Sequence, residues 1–202
     1  MNTAVKLPLH SANPLVLRDL QKRYPKAEMH ILVDEIPAMA GAMNESLFWE
    51  IIGKLDWKKD ADEAILAPAV AILSRQSEQA IRQFSEILAR KLYALDGERL
   101  AKEDAWSDDP EAHFSVDDFL YARCCVVANG RDFYENVRRE PSKMPKGFTF
   151  ESLLSLPREA WKMKTGQDDY FQFTEVWVET FSNPDGWPGI TPLRNRILEN
   201  NG

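Results

Sequence analysis

Between residues 108 and 118 the chain places five carboxylates and an imidazole: Asp108, Asp109, Glu111, His113, Asp117 and Asp118. Oxygen ligands joined by one histidine suit Mg²⁺, Mn²⁺ or Ca²⁺, and an ion held there would support a metal-dependent hydrolase. The spacing does not follow a known ligand loop, and Pro110 would interrupt an EF-hand-like wrap. Asp117 and Asp118 also have a sufficient duty at the N-terminus of a helix, where negative charge meets the positive end of the macrodipole. The expectation is therefore no metal and no other cofactor, with the hydrolase kept as an alternative.

Nucleophilic catalysis would need a histidine beside Cys or Ser and a third group to orient it. His10, His30 and His113 are scattered through regions of different character. Cys124 and Cys125 sit in an apolar run, where cysteine is usually an inert core residue. The chain contains no GxxxxGK[ST], GxGxxG or CxxC, so nucleotide-binding and zinc signatures are absent and no catalytic residue is assigned.

Arg123, Arg131 and Tyr134 form a third constellation. On a helix continuing through Gly130, positions 123, 127, 131 and 134 lie near one face, where two guanidiniums and a phenol could clasp a phosphate or carboxylate. That would make a small-anion sensor. The preferred expectation is that both arginines pair with acids of the preceding loop and hold it on the body.

Charge is distributed unevenly. Residues 96–118 carry nine acids (Asp96, Glu98, Glu103, Asp104, Asp108, Asp109, Glu111, Asp117, Asp118) against Arg99 and Lys102, which equals the net −7 of the whole chain. Residues 119–166 run the other way, with nine bases against five acids. The acidic stretch is either a solvated loop or a docking patch for a basic partner. Of the six tryptophans, Trp106 within that stretch and Trp187 in a Pro-Gly turn are the expected exposed anchors. The candidate partner-binding residues are thus Glu103, Asp104, Trp106, Asp108, Asp109, Glu111 and Trp187.

The elements that must position these groups come from 202 residues, 44% hydrophobic and 28% charged, an ordinary globular composition. Two adjacent cysteines cannot staple a fold, no run approaches a membrane span, and residues 1–10 do not read as a secretory signal. A cytoplasmic protein binding neither membrane nor nucleic acid is expected, because so acidic a chain repels phosphate. Residues 1–43 read as a small α/β extension packed on the body, with a short helix after Asn13-Pro14 and a short strand over 28–33.

A helical body is expected over 44–166. Phe48, Trp49, Ile52 and Leu55 share a helix face, with Trp57 one turn on. Pro68 should kink a helix or divide two turns. Ile81, Phe84, Leu88, Leu92 and Leu95 step as one buried stripe over about 78–95. Ser115-Val-Asp-Asp118 is a capping box that starts a helix near Val116. Gly130 either ends that helix or lies within it. Two short helices should follow around 151–156 and 157–165, with Gly166 beyond the end. In the C-terminal segment 167–202, Phe171–Phe181 is open between strand and helix.

Phe48-Trp49-x-Ile51-Ile52, Leu73-Ser74 with Ile81-x-x-Phe84, Asp117-Asp118-Phe119-x-Tyr121-x-Arg123, and Gly130-Arg131-x-x-Tyr134 with Pro141-Ser142 resemble the bacterial domain-of-unknown-function family 4240 over about residues 45–166. The family pattern has tryptophan in the middle of the third block, where this chain has Cys124-Cys125, so a repacked core is expected there. The resemblance implies a mainly α fold and no established activity. The fold expected is a compact, irregular helical bundle with the small N-terminal extension. The function expected is a non-enzymatic protein-binding module, in its sharpest form a bacterial immunity protein that neutralises a nuclease-like toxin through an acidic surface. A metal-dependent hydrolase on Asp108–Asp118 and the Arg123/Arg131 sensor are the alternatives. Oligomeric state is left open.

Overall fold

A computed structural model of the chain describes residues 42–104, 114–171 and 173–188, together with Lys22. The expected N-terminal extension lies outside the described residues except for Lys22 and positions 42 and 43. The described part is mainly α, and no strand occurs among the described residues.

Each helix begins or ends where local chemistry demands it. Asn44 accepts the Leu47 N–H and opens α1 (Glu45–Ile52). Helix α2 (Asp62–Leu73) runs through the exposed Pro68 without dividing, and Ile65, Leu66, Ala69, Val70 and Leu73 face inward. Ser77 caps α3 (Glu78–Ala94), whose Ile81, Phe84, Leu88 and Leu92 form the buried stripe that Leu95 completes. After α4 (Glu98–Asp104), Ser115 accepts the Asp118 N–H at 3.1 Å and starts α5 (Val116–Ala128), as the capping box requires. Gly130, at φ +91°, then takes a conformation that L-residues avoid and separates α5 from α6 (Arg131–Arg139). A 3₁₀ turn at Glu151–Ser155 leads into α7 (Leu156–Thr165), which Gly166 ends in the left-handed region.

Helix α3 is the spine. Helices α1, α5 and α7 pack on it, and α2 packs across α1 and α7. Phe48 of α1 meets Phe84 of α3 at 4.7 Å between ring centroids, and Trp49 meets Tyr134 of α6 at 5.3 Å. Phe48, Ile51, Ile52, Ile81, Phe84, Phe119, Arg123 and Tyr134 are all buried. Most of the motif residues therefore build the core. Cys124 is also fully buried. Trp57 departs from its expected place on the α1 face: α1 stops at Gly53, and Trp57 is half exposed in the following loop, against Phe150.

Among its described residues (167–171 and 173–188) the C-terminal segment is neither strand nor helix, and it forms an irregular strap of bends and turns that lies along α3. The Tyr170 and Ser85 hydroxyls share a hydrogen bond at 2.6 Å, and Arg82 donates to the Phe171 carbonyl at 2.9 Å. Glu86 accepts the Glu175 N–H at 3.0 Å, Arg90 pairs with the Glu175 carboxylate, and Asn183 donates to the Tyr93 carbonyl. Successive turns of one helix thus pin successive parts of the strap.

Candidate interaction surface

Asp96 and Arg123 define what is not surface. Both are essentially inaccessible, with Arg123 at 0% and Asp96 at 1% exposure. Arg123 donates to the Leu92 and Val178 carbonyls and to the Thr180 hydroxyl at 3.0–3.1 Å. Asp96 accepts the N–H groups of Phe181 and Asn183 and the indole N–H of Trp187. The two charges lie 3.8 Å apart, beyond hydrogen-bond range but close enough to neutralise each other. Burial lowers the Arg123 pKa, while the Asp96 charge opposes that shift. Together they lock residues 178–187 of the strap onto α3 and α5.

This lock overturns two expectations. Trp187 is not an exposed anchor: it is 2% exposed, sits among Phe114, Phe119 and Phe181, and donates to Asp96. The turn that carries it is pressed in because Gly97 and Gly186 meet backbone to backbone. A Cβ at Gly186 would lie 2.0 Å from the Asp96 carbonyl oxygen, and the Glu98 N–H donates to the Gly186 carbonyl. Arg123 and Arg131 do not share a helix face either, since Gly130 breaks the helix between them. Arg123 does pair with an acid of the preceding stretch, Asp96, whereas Arg131 is exposed on α6. Tyr134 is buried with its hydroxyl donating to the Lys91 carbonyl, and burial raises its pKa.

Of the acidic candidates, Glu103 and Asp104 stand at the C-terminal end of α4, and Asp117 and Asp118 in the first turn of α5. Asp104 is half-buried, and its pKa is raised, first by burial and then by the charge of Asp118. Asp104 and Asp118, one from each helix end, therefore repel each other. Lys146 approaches Glu103 at 3.9 Å, and Lys102 pairs with Glu98 one turn back. Trp106, Asp108, Asp109, Glu111 and His113 lie outside the described residues, and with them most of the carboxylates of the hydrolase alternative. Burial pushes the Cys124 thiol up to about 12 and also raises Cys125, so neither is an activated thiolate.

One group of exposed aromatics among the described residues was not assigned to a surface from the sequence. Phe171 (65% exposed), Phe173 and Trp177 (62% exposed) stand on the outer side of the strap, with the first two rings edge-to-face at 4.6 Å. Two signals could have found it. Phe171, Phe173 and Trp177 recur at even spacing along the sequence, and no Lys or Arg occurs anywhere from 165 to 193. Contiguous exposed aromatics on a soluble domain mark interaction sites more often than scattered ones do.

No helix of the described residues is long and apolar enough to cross a membrane. No curated protein and no solved structure matches the chain. A family model described as protein of unknown function, DUF4240, matches residues 43–163, from the start of α1 almost to the end of α7. The match spans the helical body whose core the motif residues build, and the chain belongs to that family.

Proposed function

We propose that the chain is a non-enzymatic protein-binding module, an immunity protein that binds and neutralises a basic, nuclease-like toxin in the bacterial cytoplasm. The observation that carries this reading is the Phe171–Phe173–Trp177 ridge, which leaves large aromatic side chains in water on a segment devoid of basic residues. Aromatic anchors supply much of the energy of protein interfaces. The carboxylates of Glu103, Asp104, Asp117 and Asp118 add a negative field that a basic partner would relieve, and Asp104 already bears the cost of its like-charged neighbour. The anion-sensor alternative loses one of its two guanidiniums, because Arg123 is committed to the strap.

The test is co-expression with the product of the adjacent reading frame. That product alone should arrest growth, and the chain should restore it. With purified proteins, the association rate should fall as salt rises, and Glu103→Lys with Asp104→Lys should slow association severalfold while leaving dissociation nearly unchanged. A neighbour that is harmless alone, or that still arrests growth beside the chain, overturns the reading.

A further inference from the structure

Between Ala64 and Ser74 helix α2 and its cap carry no charged or amide side chain on any side. Ile65, Leu66, Ala69, Val70 and Leu73 fill the core, yet Ala67 and Pro68 are exposed and Ala64, Ala71 and Ile72 are only half-buried. A helix that is apolar all round is ordinarily covered on every side. Helix α7 lies beside α2 and runs the same way. At one end the hydroxyl of Ser152, in the turn leading into α7, donates to Asp62, and at the other the Ser74 hydroxyl meets the Met163 sulfur at 3.3 Å. Met163 is 59% exposed and extends the apolar face past the end of α2. Charge appears only at the two ends of the helix: Asp62 and Glu63 in its first turn, and Arg75 just beyond its last. Glu63 and Arg75 are both exposed, and neither is paired among the described residues.

We propose that this face joins two copies of the chain, with their α2 helices antiparallel across a two-fold axis. An axis crossing the helix at its middle, Ala69, exchanges position 63 with 75, 64 with 74, and 67 with 71. Glu63 and Arg75 lie about 18 Å apart along the helix at 1.5 Å per residue. The reversal sets each of them opposite its unpaired counterpart on the second copy. Ala67 then packs on Ala71 of the second copy, and Met163, beside Ser74, reaches the second copy's Ala64. Charge selects both the occupant and its direction. The face is self-complementary only when reversed, because a parallel copy would set Glu63 on Glu63 and Arg75 on Arg75. Opposed helix dipoles favour the same direction. The face uses none of the residues assigned to the toxin partner, so the inference is independent of the immunity reading.

Sedimentation velocity of the full chain, from micromolar to near-millimolar concentration, is the test. A concentration-dependent monomer–dimer equilibrium is expected. Ala67→Glu should weaken the dimer more than tenfold with circular dichroism unchanged, since position 67 is exposed and glutamate is a good helix former. Glu63→Arg and Arg75→Glu should each weaken it severalfold, and the two changes together should restore it, because they rebuild the same pair with the charges exchanged. A chain that stays monomeric throughout, a dimer that Ala67→Glu leaves intact, or a double variant no tighter than the single ones overturns the proposal. A monomer whose melting temperature falls in Ala67→Glu also overturns it and assigns the face to another segment of the same chain. So does a dimer lost in Trp177→Ala but kept in Ala67→Glu, which assigns association to the exposed aromatics. Failure of the chain to neutralise a toxin would remove the immunity reading and leave each of these results unchanged.

Discussion

Arg123→Ala is expected to destabilise the fold by about 3–5 kcal/mol, the usual result of deleting one member of a buried ion pair. Three hydrogen bonds to Leu92, Val178 and Thr180 disappear together, and Asp96 is left charged and buried with only its N–H partners. A domain of this size is stable by roughly 5–15 kcal/mol, so the loss is a large share of the whole. The pair is coupled. Asp96→Asn in the Arg123→Ala background should cost markedly less than Asp96→Asn alone, because the orphaned charge has gone. Urea denaturation of the four proteins checks this. A loss below about 1 kcal/mol for Arg123→Ala, or strict additivity of the two changes, would show that the strap is not locked by this pair.

Phe84→Ala should cost about 3–4 kcal/mol, within the range for truncating a buried phenylalanine. Phe84 is fully buried on the spine helix and packs on Phe48, so its loss leaves a cavity that two helices line and neither can fill. At roughly 2–4 °C per kcal/mol for a chain of this length, the melting temperature should fall by about 6–16 °C. A fall of less than about 2 °C would contradict the placement of α3 at the centre.

How far these features were legible depended on the range of the interactions that make them. The stripe from Ile81 to Leu95, the Ser115 cap and the Gly166 stop are local. Each is written in residues within a few positions of one another, and each appears where its spacing predicts. The strap is not local. Its conformation is set by side chains about 85 residues away, such as Arg82 on Phe171 and Arg90 on Glu175. Its own sequence therefore carried only a loose alternation. Trp187 misled for the same reason: a Pro-Gly turn reads as surface unless one knows that Gly97 lies against it. Asp96 counted as one more surface acid until its buried partner Arg123, in α5, came into view. For the candidate surface, Glu103 and Asp104 were proposed from charge alone, while Phe171, Phe173 and Trp177 fell in an element left open between strand and helix, whose loose alternation did not say which side faces water.

Hydrogen–deuterium exchange of the full chain, with and without the product of the adjacent reading frame, tests the central claim most directly. Binding through the strap and the acidic patch predicts slowed exchange over residues 171–179 and over 103–104 and 117–118, with α2 and α6 unaffected. Slowed exchange confined to α6 around Arg131 and Arg138, or none anywhere, would contradict the account.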